Sequence, residues 1–196
     1  MYKIKIFNKI DPQGLDRLPK NFELTEDSDY DGIILRSYKM SEAELTTRLA
    51  AVARAGAGVN NIPVDSYAQK GVVVFNTPGA NANAVKEIVL LGALLASRKV
   101  YQGIAWAQGL PADDAIEKAV EAGKADFVGP EILGKKVGVI GLGSVGVLVA
   151  NLFEALGAVV YGYDPFISIK NAWGLSSQVS RTSSVEWIFE NCDRSE

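Results

Sequence analysis

The sequence predicts an α/β protein built on parallel sheets, and three observations carry that prediction. From Lys3 to Phe75, short β-rich runs alternate with polar or helical stretches. From Val137 to Pro165 the chain reads as a strand, a glycine-rich turn, an apolar helix and a second strand ending on an acid. With 196 residues, 48% of them hydrophobic and 22% charged, there is enough apolar material to bury a core in one or two domains.

Lys3 to Phe7 alternates polar and apolar residues, as a half-buried strand does. Similar runs recur at Gly32 to Leu35, Ala50 to Ala53 and Val72 to Phe75, with helical stretches at Ser41 to Leu49 and Val64 to Gln69. Strands spaced by helices build a parallel layer. Ser41 and Glu44 have the spacing of a capping box, which marks the start of the helix at 41 to 49.

A longer helix is predicted from Ala84 to Ala107. It is apolar almost all round, so it is expected to be buried against another domain or another subunit. The polar segment Gln108 to Gly129 opens a short helix at Pro111-Ala112-Asp113-Asp114, where the adjacent acids match the positive end of a helix dipole. Phe127 to Lys135 reads as a linker. The last unit is predicted as strand Lys136 to Ile140, helix Ser144 to Leu156, strand Val159 to Tyr163 and helix Ser184 to Asn191.

A formal net charge of -3, with the lysines and arginines scattered, argues against nucleic acid or an anionic membrane as the main partner. Small-molecule chemistry is favoured. The single cysteine, Cys192, allows no intrachain disulfide and suits a reducing compartment. The start of the chain lacks the apolar core of a signal peptide, and Ile88 to Ala96 is too short to span a bilayer. A cytoplasmic protein is expected, with no metal site.

Gly141-Leu142-Gly143-Ser144-Val145-Gly146 matches G-x-G-x-x-G, a weak signal by itself. Its context strengthens it: an apolar strand precedes, a proline-free helix follows, and a second strand ends at Asp164, eighteen residues past the last glycine. These are the requirements of a dinucleotide-binding Rossmann βαβ unit. Gly141 would allow the tight turn, Gly143 the close approach of a pyrophosphate, and Gly146 the packing of helix on strand. Ser144 and Val145 would offer backbone N–H donors at the helix start. Asp164 would receive the adenosine ribose hydroxyls and repel a 2′-phosphate. No arginine follows it closely in sequence, so NAD is expected rather than NADP.

Three segments in register resemble the NAD-dependent D-2-hydroxyacid dehydrogenases: Arg54-Ala55-Gly56-Ala57-Gly58-Val59-Asn60-Asn61-Ile62, Val73 to Gly79, and Gly141 to Gly146 with Tyr163-Asp164-Pro165. Within that family PGANANAVKEIVLLGALLASRKV is most similar to the branch that oxidises 3-phosphoglycerate in serine biosynthesis. The resemblance implies a flavodoxin-like substrate domain interrupted by a Rossmann domain, with the helix after Asn76-Thr77-Pro78 joining the two and helping to form a homodimer. It assigns Arg54, Ala57 and Gly58 to the substrate carboxylate or phosphate, the loop acting as a backbone anion nest. It places Thr77 near the nicotinamide end of the cofactor.

Domain bounds follow: a partial substrate-binding part at 1–83, an interdomain and dimerisation helix with linker at 84–134, and the first half of a Rossmann domain at 135–196. The family's catalytic arginine, acid and histidine come from the half that would follow. This chain has no histidine at all, so the usual base with a pKa near neutrality is absent. No catalytic residue is assigned within it. The hydrophilic tail Cys192 to Glu196 suggests a truncated chain that is inactive alone. The alternative expectation is a non-catalytic, NAD-responsive interaction module.

Overall fold

A computed structural model describes residues 1–112 and 114–193. Asp113 of the predicted acid pair, and Arg194, Ser195 and Glu196 of the polar tail, lie outside the described residues. The chain divides into two compact units, Met1–Asn81 and Ala82–Glu196, so the second unit takes in the segment 84–134.

The first unit is a parallel sheet of β1 (Tyr2–Phe7), β2 (Phe22–Thr25), β3 (Gly32–Leu35), β4 (Ala51–Arg54) and β5 (Val73–Phe75), in the order β2-β1-β3-β4-β5. That order is flavodoxin-like. Two short helices join it, α1 (Pro12–Leu15) and α2 (Val64–Gln69). β3 is apolar almost throughout because it lies inside the sheet, and Ile33 and Leu35 join Val52 and Tyr67 at the centre of the core. At the opposite end of the strands from their C-termini, Asp31 accepts from the Lys3 backbone N–H at 2.8 Å and pairs with Arg48. Both contacts hold its carboxyl below the usual range.

The helix predicted at 41–49 is only one 3₁₀ turn, Glu42–Glu44. The capping box forms as expected, with Ser41 N–H donating to Glu44 Oε2 at 2.7 Å. Propagation then fails, because the Glu44 carbonyl accepts the Tyr30 hydroxyl at 2.9 Å and the Leu49 N–H donates to Thr46 Oγ1. Two β-branched threonines at 46 and 47 disfavour further turns.

The second unit holds α3 (Ala82–Arg98), α4 (Val100–Gln108), α5 (Ile116–Gly123), β6 (Lys136–Ile140), α6 (Ser144–Ala155), β7 (Val159–Tyr163), α7 (Ile169–Gly174), β8 (Ser180–Arg181) and α8 (Val185–Asn191). Its parallel sheet runs β6-β7-β8, one mononucleotide half of a doubly wound fold. Val139, Val147, Ala150, Phe153 and Val160 form the core between sheet and α6. On the open side of β6, Asp193 N–H donates to the Lys136 carbonyl and Asp193 Oδ2 accepts from Lys136 N–H. The chain leaving α8 thus returns past β7 to the free edge of β6.

The long helix predicted from Ala84 to Ala107 breaks at Lys99, whose φ of 48° is left-handed, and α3 and α4 meet at 68°. Within the unit α3 packs on α6, and Ala93 joins the core there. Ile88 is 67% exposed and Leu91 50%, so the expected all-round burial does not occur within the described chain. Among the described residues no single helix is long and apolar enough to cross a membrane.

Candidate functional site

The glycine turn follows directly from β6. Gly141 has φ of 86°, a conformation only glycine adopts without strain, and its N–H donates to the Tyr163 carbonyl at 2.8 Å. This turns the chain off the sheet at the C-terminal end of the strand. Gly143 then caps α6 in an extended conformation, and a Cβ built on it meets nothing within 4 Å. Gly146 is different. A Cβ there would overlap the Gly141 carbonyl oxygen, so helix and turn touch backbone to backbone.

α6 carries no acid in its first turn, so Ser144 and Val145 present their N–H groups at an uncompensated positive helix end. The open space at Gly143 and these donors fit a pyrophosphate. Ser144 is exposed and Val145 half-buried.

Asp164 is half-buried just beyond the end of β7. Its Oδ2 accepts from Leu142 N–H and its Oδ1 from Phe166 N–H, each at 2.8 Å. A carboxylate has about four lone-pair sites, so two acceptor positions remain for ribose hydroxyls. Beside it lies a cleft of ≈ 240 Å³ lined by Leu142, Gly162, Asp164, Leu175, Val179 and Arg181.

Arg181 was not among the residues expected here. Sequence distance hides it, since it stands on the next parallel strand rather than just after Asp164. β8 has only two residues, too few for a strand period to mark it.

In the first unit, Arg54 ends β4 and lies next to Leu35 of β3 in register. Its Nε donates to the Arg36 carbonyl at 3.0 Å and its Nη1 donates to the Gly58 carbonyl. Asn76 Nδ2 donates to the Ala57 carbonyl at 2.6 Å, and Thr77 N–H donates to the Gly56 carbonyl at 2.9 Å. Arg54, Ala57, Gly58 and Thr77 are therefore gathered at the C-terminal edge of the sheet.

The loop carbonyls face Arg54, Asn76 and Thr77, while the N–H groups of Ala57 and Gly58 have no hydrogen-bond partner among the described residues. This is the polarity an anion nest requires. Arg54 differs from its expected part in that two of its donors are already engaged, one by the Arg36 carbonyl after β3 and one by the Gly58 carbonyl of the loop, leaving less of the guanidinium for a ligand. Arg36, exposed and with no side-chain partner among the described residues, is a second cation at this edge that the sequence reading missed. Its signal was its position directly after a buried strand.

No group of three metal-ligating side chains occurs among the described residues. A family model described as the D-isomer specific 2-hydroxyacid dehydrogenase catalytic domain matches residues 4–194. D-3-phosphoglycerate dehydrogenase of Mycobacterium tuberculosis (strain H37Rv) is 39% identical over 141 residues, covering 70% of this chain and 25% of the relative. The enzyme of the same name from Methanocaldococcus jannaschii is 32% identical over 182 residues, covering 91% of this chain and 32% of the relative. The chain thus spans about a quarter to a third of these curated relatives.

Among solved structures, the NAD+-bound 3-phosphoglycerate dehydrogenase of Entamoeba histolytica superposes with a TM-score of 0.70 at 25% identity, covering 97% of this chain and 60% of that one. With strand order, glycine turn and family model in agreement over nearly its whole length, the chain belongs to the D-isomer specific 2-hydroxyacid dehydrogenase family.

Proposed function

We propose that the chain serves the NAD-dependent oxidation of 3-phospho-D-glycerate to 3-phosphohydroxypyruvate, the opening step of serine biosynthesis. Its part is to hold the adenosine half of NAD and to supply an anion nest for the substrate. One observation carries this reading: the turn from Gly141 to Gly146 is tied to Asp164 by the Leu142 hydrogen bond, with open space left at Gly143.

When bound, NAD supplies the acceptor for the hydride leaving carbon 2 of the hydroxy acid. Gly143, Ser144 and Val145 bind the pyrophosphate, and Asp164 orients the ribose. Ala57 and Gly58 bind the substrate carboxylate through their N–H groups, held by Arg54, while Thr77 steadies the same loop. The hydroxyl proton needs a base, and no histidine is present to take it. By itself the chain is expected to bind without turnover.

The test combines calorimetry of NAD+ binding with a spectroscopic assay for NADH after adding 3-phosphoglycerate. Binding without NADH supports the proposal, and no binding of NAD+ refutes it. The exposed apolar face of α3, with Ile88 and Leu91, supports a homodimer. Sedimentation as a monomer at micromolar concentration would refute that part.

A second reading, a non-catalytic NAD-responsive interaction module, draws on Phe166, Ile169 and Trp173. They are 90%, 79% and 86% exposed on the segment that starts two residues past Asp164. It is favoured if NAD+ changes the state of association while no NADH forms.

A further inference from the structure

We propose that Arg181 is a second cofactor-specificity determinant beside Asp164, one that lets the site accept a 2′-phosphate on the adenosine ribose despite the acid. The inference rests on the cofactor reading above and concerns how that site chooses between NAD and NADP.

β8 pairs in parallel with β7, and Arg181 stands directly opposite Gly162. Side chains alternate along a strand, so residues 162 and 164 share a face, and Arg181 emerges on that face as well. Over Gly162 lie the side chains of Leu142 and Val179, 3.0 Å and 3.5 Å from where a Cβ would stand. Asp164 and Arg181 both line the cleft at this face, together with Leu142 and Val179.

The two charges are held differently. Asp164 is fixed by two backbone N–H donors. The exposed Arg181 makes no hydrogen bond or ion pair through its guanidinium among the described residues. Its planar fork suits a phosphate, which it grips with paired donors. A ribose held by Asp164 places its 2′ position at this cleft, where the carboxylate repels an added phosphate and Arg181 attracts it. The consequence is a site that prefers NAD and still binds NADP. Reading forward from Asp164 for a following arginine misses this, because the compensating charge arrives from the neighbouring strand.

The experiment is calorimetric titration of the parent chain, Arg181→Gln and Arg181→Glu with NAD+ and, separately, NADP+. Thermal melts check that each variant is folded, which the exposure of Arg181 favours. The parent is expected to bind both nucleotides, NAD+ more tightly. Arg181→Gln should weaken NADP+ by about tenfold or more, the worth of one charge-assisted hydrogen bond, and leave NAD+ within about twofold. Arg181→Glu should weaken NADP+ further.

An unchanged ratio of the two affinities in folded Arg181→Gln overturns the inference while leaving the cofactor reading intact. So does a parent chain that binds NAD+ and not NADP+. A parent that binds neither nucleotide overturns the cofactor reading, and this inference with it.

Discussion

Asp164 and Leu142 are joined by a 2.8 Å hydrogen bond from the Leu142 backbone N–H to Asp164 Oδ2. The acid assigned to the ribose therefore also fastens the glycine turn to the end of β7. Its second oxygen receives Phe166 N–H and fastens the chain that follows. Asp164→Ala is expected to destabilise the second unit by about 2–3 kcal/mol, since hydrogen bonds to a charged group contribute about 1.5–3 kcal/mol each and solvent exposure reduces the sum. Urea unfolding measures this. A variant as stable as the parent would show that the acid does not hold the turn.

Gly143 and Gly146 separate binding from folding. Gly143→Ala adds a methyl group to open space, in a backbone conformation any residue adopts, so the melting temperature should barely move while NAD+ affinity falls by about tenfold or more. Gly146→Ala drives a methyl group into the Gly141 carbonyl oxygen and should cost about 2 kcal/mol or more of stability. Parallel melts and titrations of the two variants check the contrast, and equal loss of stability in both would contradict it.

Arg54→Lys tests the loop from Gly56 to Gly58. Lysine cannot reproduce the fork that reaches the Arg36 and Gly58 carbonyls at once. Amide exchange at Thr77, whose N–H is held by the Gly56 carbonyl, should accelerate, with a stability loss of about 1–2 kcal/mol. Unchanged exchange would mean that Asn76 and Thr77 hold the loop without Arg54.

Tyr67 gives the first unit a pH dependence. Its side chain is fully buried and its hydroxyl donates to the Ser41 carbonyl at 2.7 Å, so burial, aided by Glu44, pushes the phenol from 10.0 up to about 12. The folded state favours the neutral form. That stability is complete below pH 10 and is lost as pH rises from there toward about 12, a change of about 2–3 kcal/mol. Urea midpoints of the parent and Tyr67→Phe, compared across this range, should converge as pH rises. Parallel curves would refute the assignment.

Elements set by a strong local pattern were legible in the sequence. β6, β7 and the start of α6 follow from apolar runs separated by glycines whose backbone conformation no other residue matches. β3 and α2 were equally clear. What the sequence hid was decided by tertiary partners: the Tyr30 hydroxyl that ends the turn after Glu44, the left-handed Lys99 that divides α3 from α4, and the two-residue β8. In the candidate sites the glycines and Asp164 were readable because their chemistry depends on spacing along one chain segment. Arg36 and Arg181 were not, because Arg36 meets Arg54 through a carbonyl just past β3 and Arg181 meets Gly162 through strand register.

The central claim is that the turn from Gly141 to Gly146 and Asp164 form the adenosine half of a working NAD site. Calorimetric titration of NAD+ into the parent chain and into Gly143→Ala tests it most directly, because that substitution leaves the fold alone. Saturable binding by the parent, weakened about tenfold or more in the folded variant, is the predicted result. Equal binding by both, or none by the parent, would contradict it.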